Sequence, residues 1–289
     1  MMNRKSYKKL IGILLPAVLI LFSYYVLPYL NKNFVSTDAD GLPIKVHFID
    51  VGQGDASLID IDGKFVMIDG GTGDSADNTI DFISSLGVTE LECAVATHPH
   101  EDHIGGLDDI INEFPTAKAY ISPGNTTTRA FENLLSSLEN SKVKTVSAGD
   151  VFEIGKVKFE VFAPKNNEYS ELNNYSVCLK MTYGRKSFLF TGDAEKLSEN
   201  EMLDSGFDLN SDVLKAGHHG SETSTSDKFL KAVSPEVAVV SVGRNSYGLP
   251  DESVINKLEA CSKLYRTDLN GNITVATDGK TLEVKCDYN

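Results

Sequence analysis

The stretch Thr97-His98-Pro99-His100-Glu101-Asp102-His103-Ile104-Gly105-Gly106 constrains this chain more than any other. It holds three of the chain's 6 histidines in ten residues. His98 and His100 are two apart, so both imidazoles can leave the end of a strand in the same direction. Asp102 and His103 follow at once and can reach a second cation. Imidazole nitrogen and carboxylate oxygen together suit zinc, manganese or iron. Such a loop needs a rigid scaffold that brings further ligands to it from elsewhere in the chain.

Three other segments supply them in order. Met67-Ile68-Asp69-Gly70-Gly71 ends an apolar run on an aspartate. Phe188-Leu189-Phe190-Thr191-Gly192-Asp193 does the same later in the chain. Lys215-Ala216-Gly217-His218-His219-Gly220-Ser221 brings two more histidines. This set, in this order, resembles the metallo-β-lactamase superfamily. Phe48-Ile49-Asp50-Val51-Gly52-Gln53-Gly54-Asp55-Ala56, the His-His-Gly-Ser turn and Tyr265-Arg266-Thr267-Asp268 resemble one branch of it more narrowly. That branch is the extracellular domain of ComEC-type competence proteins, the DNA-uptake channels. The resemblance covers nearly everything from Ile44 to the C-terminus.

The resemblance implies two divalent transition-metal ions, zinc or manganese. His98 and His100 would hold the first, helped by one of His218 and His219. Asp102 and His103 would hold the second, and Asp193 would bridge them. Asp102 could also orient the attacking water. Which of His218 and His219 is the ligand stays open, the other being free to act on substrate. Asp69 is expected to support the metal loop by hydrogen bonds. Gln53 and Asp55 would lie near the metals. The hydroxyls of Ser221, Thr223 and Ser224 could hold a phosphate oxygen. His47, inside an apolar strand, reads as a structural or edge residue.

Periodicity places these motifs. Lys45–Val51 reads as a strand, and Ser57–Asp62 with Lys64–Asp69 as a hairpin turning at Asp62-Gly63. Leu91–Ala96 is a strand that delivers the metal loop, whose Gly105 and Gly106 would let the backbone pass close to the metals. Val151–Phe162 reads as a hairpin. Val177–Tyr183, Ser187–Thr191, Asp212–Ala216 and Pro235–Val242 read as strands. Helices are expected over Thr79–Leu86, Leu107–Phe114, Glu195–Leu203 and Glu252–Ala260. Two runs of strands with covering helices make an α+β, four-layer αββα sandwich.

Leu10 to Leu30 differs in kind, with no charged residue over a length that can cross a bilayer as a helix. Arg4, Lys5, Lys8 and Lys9 precede it, which favours a cytoplasmic N-terminus and an exported remainder. The expected division is a basic cytoplasmic tail over 1–9, a transmembrane anchor over 10–30, a linker over 31–42 and the hydrolase domain over 43–289. A cleaved signal peptide is the alternative, giving a secreted domain. One apolar run does not build a channel, so a hydrolase module is expected rather than an uptake pore. Cys93, Cys178, Cys261 and Cys286 form no C-x-x-C pair, and no essential disulfide is expected. The formal net charge of -14 counts against tight non-specific DNA binding, though bound cations add local positive charge.

Two departures from the resembled pattern matter. No histidine lies between His103 and His218; Asn173, Asn174 and Ser176 occupy the region of the superfamily's usual third-motif histidine, which the resembled branch also tends to lack. Asn245-Ser246-Tyr247-Gly248-Leu249-Pro250 carries Leu249 where the branch has histidine. The expected activity is hydrolysis of phosphodiesters, with DNA favoured as substrate by analogy. A surface esterase acting on phosphocholine or teichoic-acid-type groups and a non-catalytic metal-containing binding module are the rivals.

Overall fold

The computed structural model describes residues 41–166 and 168–288. The tail, the apolar run 10–30 and most of the linker lie outside the described residues. No helix among the described residues is long and apolar enough to cross a membrane.

Fifteen strands form two sheets among the described residues. The first runs in the order β15 (Leu282–Cys286), β14 (Ile273–Thr277), β1 (Ile44–Phe48), β2 (Ser57–Ile61), β3 (Lys64–Ile68), β4 (Cys93–Ala96), β5 (Lys118–Ile121), β6 (Lys142–Thr145). The second runs β13 (Lys263–Arg266), β12 (Val237–Val240), β11 (Val213–Lys215), β10 (Lys186–Phe190), β9 (Cys178–Tyr183), β8 (Val157–Ala163), β7 (Val151–Ile154).

Side-chain alternation explains why two sheets stack. Ile44, Val46, Phe48, Val66, Ile68, Cys93 and Val95 join Phe159, Val161, Leu179, Met181, Phe188, Phe190 and Val239 in one core between the sheets. The residues between them point the other way. Leu58, Met67, Ala94 and Ala96 meet α1 (Ala76–Ser85), α3 (Leu107–Glu113) and α4 (Arg129–Ser137). Leu189, Leu214, Ala238 and Val240 meet α5 (Lys196–Asp204), α6 (Asp227–Val233) and α7 (Glu252–Cys261). With a side-chain period of two, each strand serves two cores. The result is the expected α+β, four-layer αββα sandwich.

The sequence reading assigned nothing to 115–150, which supplies β5, α4 and β6. The two runs of strands also do not map cleanly onto the two sheets. The last hairpin, β14–β15, crosses back to the first sheet, where β14 pairs with β1. β1 therefore lies inside its sheet, and His47 is an interior residue, its Nδ1 2.9 Å from Thr274 Oγ1. Cys93 and Cys178 sit in the cores as their apolar runs suggested.

Candidate metal centre

Strand direction assembles the site. β3 and β4 are parallel neighbours, as are β10, β11 and β12. Asp69, Thr97–His98, Thr191–Asp193, Ala216–His219 and Ser241 all follow the carboxyl ends of these strands. The two sheets meet there, where the Val177 amide donates to the Thr97 carbonyl at 2.9 Å; within the first sheet's own loops the Asp55 amide donates to the Asp102 carbonyl at 3.0 Å. The loop after β4 folds into the single turn α2 (Glu101–Ile104). Gly105 and Gly106 follow this turn. They let this turn press on the end of β3: a Cβ on Gly106 would stand 2.6 Å from the Gly70 carbonyl, and one on Gly105 2.8 Å from the Gly73 nitrogen.

Asp193 is the meeting point. Its Oδ1 lies 3.1 Å from His103 Nε2. Its Oδ2 lies 3.8 Å from His98 Nε2, 3.7 Å from His219 Nε2 and 3.8 Å from His218 Nε2. The Asp193 amide donates to Ser176 Oγ at 3.0 Å, which ties the turn to the segment before β9. His98 Nε2 is 3.0 Å from His100 Nδ1. His219 Nε2 is 3.2 Å from Asp102 Oδ2. Two donor groups therefore share Asp193: His98 with His100, and His103 with His219 and Asp55, with Asp102 standing at His219 Nε2.

The histidine pair is resolved by its backbone. His218 and His219 both adopt left-handed conformations, φ 51° each, which turns adjacent side chains to different surroundings. His219 is buried and its Nδ1 donates to the Ser241 carbonyl at 2.9 Å. Its Nε2 is left facing Asp102. His219 thus stands with Asp102 and His103, while His218 Nε2 lies as far from Asp193 Oδ2 as His98 Nε2 does, 3.8 Å. His218 lines the open cleft, its Nδ1 3.1 Å from Thr223 Oγ1.

Supporting residues fix the rings. Asp69 Oδ2 takes the His103 Nδ1 proton at 2.8 Å, and the same carboxylate accepts from the Thr97 amide and hydroxyl at 2.8 and 2.7 Å. Asp55 stands behind the site: its Oδ2 is 2.7 Å from the buried Lys215 Nζ, and its Oδ1 is 3.4 Å from His219 Nδ1, on the ring side away from Asp102. Lys215 was missed in the sequence. Its signal was a lysine closing the apolar strand that leads into the histidine pair. Gln53 lines the cleft and its Oε1 accepts from Asn245 Nδ2 at 3.2 Å. Ser221 also lines it, 3.1 Å from Thr223 Oγ1. Ser224 does not serve as expected, because its hydroxyl is buried and donates to the Ala194 carbonyl.

The charges demand cations. Burial alone would raise the pKa of Asp193 and of Asp102. The imidazoles outweigh it and hold Asp193 well below the usual carboxylate range, while His219 lowers Asp102. Burial likewise opposes charge on His103, yet Asp193 and Asp69 hold it well above its ordinary value; His219 rises to about 10, against its own burial, through Asp193, Asp102 and Asp55. His98 is pushed well below normal by burial and by the charge of His103. Carboxylates exceed fixed cations here, so the imidazoles hold protons that a metal would displace. Among the described residues, His103 Nε2, His219 Nε2 and Asp193 Oδ1 are buried and, though close to one another, have no well-formed hydrogen-bond partner. Buried polar atoms normally have partners. Orphaned imidazole and carboxylate atoms converging on one point fit a divalent transition metal.

The site is of known kind. Residues 49–244 match the family model of the metallo-β-lactamase superfamily. ComE operon protein 3 of Bacillus subtilis (strain 168) is 30% identical over 251 residues, covering 79% of this chain and 32% of that protein. Competence protein ComA of Neisseria gonorrhoeae is 33% identical over 266 residues, covering 90% of this chain and 36% of that protein. The chain spans about a third of the length of these curated relatives. Among solved structures, the fold is shared with Tm1679, a metal-dependent hydrolase of the β-lactamase superfamily, at TM-score 0.53 and 17% identity over 81% of this chain and 100% of that one. It is shared also with the metallo-β-lactamase fold protein YhfI of Bacillus subtilis, at TM-score 0.54 and 13% identity over 81% and 98%. By the residues matched, the relatives and the fold, the chain belongs to the metallo-β-lactamase superfamily.

Proposed function

We propose that this metal-dependent hydrolase cleaves phosphodiester bonds, with DNA as its substrate class, and that it works outside the cell anchored by residues 10–30. The observation that carries the chemistry is the Asp193 carboxylate shared by two donor groups. The resemblance of the motifs to the competence-protein branch favours DNA by analogy, and the basic residues before the apolar run favour export.

A pair of bound cations, zinc or manganese, supplies an acidified water and a counter-charge for the leaving oxygen. His98, His100 and Asp193 would hold one cation; Asp102, His103, His219 and Asp193 would hold the other. The chain's remaining groups act by position. Asp69 and the Ser241 carbonyl take the Nδ1 protons of His103 and His219, which commits each Nε2 lone pair to the centre. Asp102, at the cleft, can accept a proton from the attacking water. Water adds to phosphorus, one phosphorus–oxygen bond breaks, and the leaving alcohol takes up a proton.

The test uses the full chain reconstituted with zinc or manganese. Metal is counted per chain, and turnover is measured on DNA, bis-p-nitrophenyl phosphate and p-nitrophenyl phosphocholine. Up to two ions per chain and turnover of the first two substrates are expected. Phosphocholine turnover alone would replace the reading with a surface esterase, and bound metal without any turnover would replace it with a binding role. Protease applied to intact protoplasts should remove the chain from Asp38 onward; full protection would overturn the topology.

A further inference from the structure

The cleft above the metal centre is open and about 1120 Å³ in volume. One wall is the loop between β12 and α7, which contributes Arg244, Asn245, Ser246, Tyr247 and Leu249. This loop is held rigidly. Asn245 Nδ2 donates to the carbonyls of Gly243 and Leu249 at 2.9 and 2.8 Å and reaches Gln53 Oε1 at 3.2 Å. Asn245 Oδ1 accepts the amides of Tyr247 and Leu249 at 3.0 and 3.1 Å. One side chain thus ties both ends of the turn to the Gly52-Gln53 segment across the cleft.

What the rigid turn presents is unusual for a folded surface. Tyr247 is 78% exposed, and its ring meets no other aromatic ring and no side-chain hydrogen-bond partner among the described residues. Arg244 has no carboxylate partner among the described residues, although acidic residues outnumber basic ones 41 to 27 in the chain. The nearby Asp268 is already taken by Arg266, at 2.6 Å. A flat ring and an unpaired guanidinium, three residues apart on one fixed turn beside a phosphodiesterase centre, match the two faces of a nucleotide. Aromatic rings stack on bases without regard to sequence, and guanidinium groups grip phosphate in pairs of hydrogen bonds.

We propose that this wall is a nucleotide subsite, with Tyr247 stacking on a base of a single-stranded nucleic acid and Arg244 holding a phosphate next to the scissile one. The proposal rests on the phosphodiesterase reading above and names the form of its substrate. A duplex offers its bases' edges but not their faces, so the strand must be single or frayed at an end. A polyol phosphate chain would satisfy Arg244 but would leave the Tyr247 ring bare.

Binding separates this from hydrolysis. The full chain, loaded with manganese, is titrated with a fluorescent phosphorothioate octathymidylate that resists cleavage. Tyr247→Ala should weaken binding about tenfold, within the range of base–aromatic stacking, while Tyr247→Phe should restore it. An abasic oligomer of equal length should bind about as weakly to the wild type as octathymidylate does to Tyr247→Ala. Arg244→Ala should lower the slope of log affinity against log salt by about 0.7, the value of one phosphate contact on a single strand. Equal binding of abasic and thymidylate oligomers, full affinity in Tyr247→Ala, or equal competition by an oligoglycerol phosphate would overturn the subsite. Intact DNA turnover alongside those results would spare the hydrolase reading. Stacking of the expected size with no turnover of any phosphodiester would sink the hydrolase reading and leave the subsite standing.

Discussion

Asp69 Oδ2 receives the Nδ1 proton of His103 at 2.8 Å, and on the far side of the same ring Nε2 lies 3.1 Å from Asp193. A carboxylate behind an imidazole fixes the tautomer and strengthens the nitrogen that faces the metal. Asp69→Asn should therefore lower metal affinity about 10- to 100-fold. Asparagine tolerates the left-handed backbone found here, φ 56°, so the fold should survive. Equilibrium dialysis against zinc, with circular dichroism as the folding control, checks this.

Asp193→Ala should cost more than one ligand. With the shared carboxylate gone, neither donor group is complete, and metal per chain should fall for both positions with hydrolysis abolished. Mass-spectrometric metal counting on the folded variant measures it. Turnover close to wild type would reduce Asp193 to a turn residue.

The buried pair of Lys215 and Asp55, 2.7 Å apart, makes a stability prediction. Removing one partner strands a buried charge, an effect of about 3–5 kcal/mol. Lys215→Met should lose about that much in urea denaturation of the metal-free protein, and adding Asp55→Leu should recover part of it. The sign with pH follows from Asp55. Burial pushes its folded-state pKa up, but Lys215 and then His219 pull it below the ordinary carboxylate value. Its contribution is thus complete above the unfolded-state value and fades as the pH drops towards the folded one. The wild type should lose more stability than the double variant on acidification below about pH 4.

His47 gives a second pH signature, away from the metal centre. Burial, with Lys45 adding to it, lowers His47 from 6.5 to about 4. Folded and unfolded states are both neutral above pH 6.5. Between 6.5 and 4 only the unfolded chain gains the proton, so stability falls, by about 3 kcal/mol at the low end. The stability difference between wild type and His47→Gln should shift by about that amount between pH 8 and pH 4. A parallel pH profile for the two proteins would refute it.

Leu249 stands at the cleft wall, half-buried against the core under the second sheet, at the position where the resembled branch carries histidine. It can give no proton to a leaving oxygen. Leu249→His should raise turnover of a phosphodiester with a poor leaving group, general acid help being worth about 10²–10⁴-fold. It should matter less for a nitrophenolate ester, which departs without a proton. No gain on the poor leaving group would show that Leu249 is a packing residue.

The sandwich and most of the residues gathered around Asp193 were legible because each rests on a local pattern. Unbroken apolar runs at Phe188 to Phe190 and at Val66 to Ile68 mark strands with two buried faces, and the aspartates after them mark strand ends. The choice between His218 and His219 was not legible, since two adjacent left-handed residues decide which ring enters the centre. Ser224 was misread for a related reason: in a serine- and threonine-rich turn, only the backbone path shows which hydroxyl faces inward. Lys215 and Arg244 escaped notice because their meaning lies in what stands beside them, Asp55 in one case and no carboxylate in the other. The return of β14 to β1 has no local signal, being a pairing of residues 227 apart at His47 and Thr274.

That long-range pairing also sets an order of events. β1 is the first strand of the described chain, yet one of its two neighbours arrives nearly last. A chain emerging from the ribosome can join β1 to β2 and β3, but one side of β1 waits unpaired until residues 273–277 appear. Closing contacts of such separation is slow, and an exposed strand edge recruits other chains meanwhile. The metal loop hangs from this same sheet, so a finished sheet around the centre comes only after residues 273–277 have been made. Early metal capture by the His98–His103 segment alone would engage a scaffold still missing Asp193 and His219.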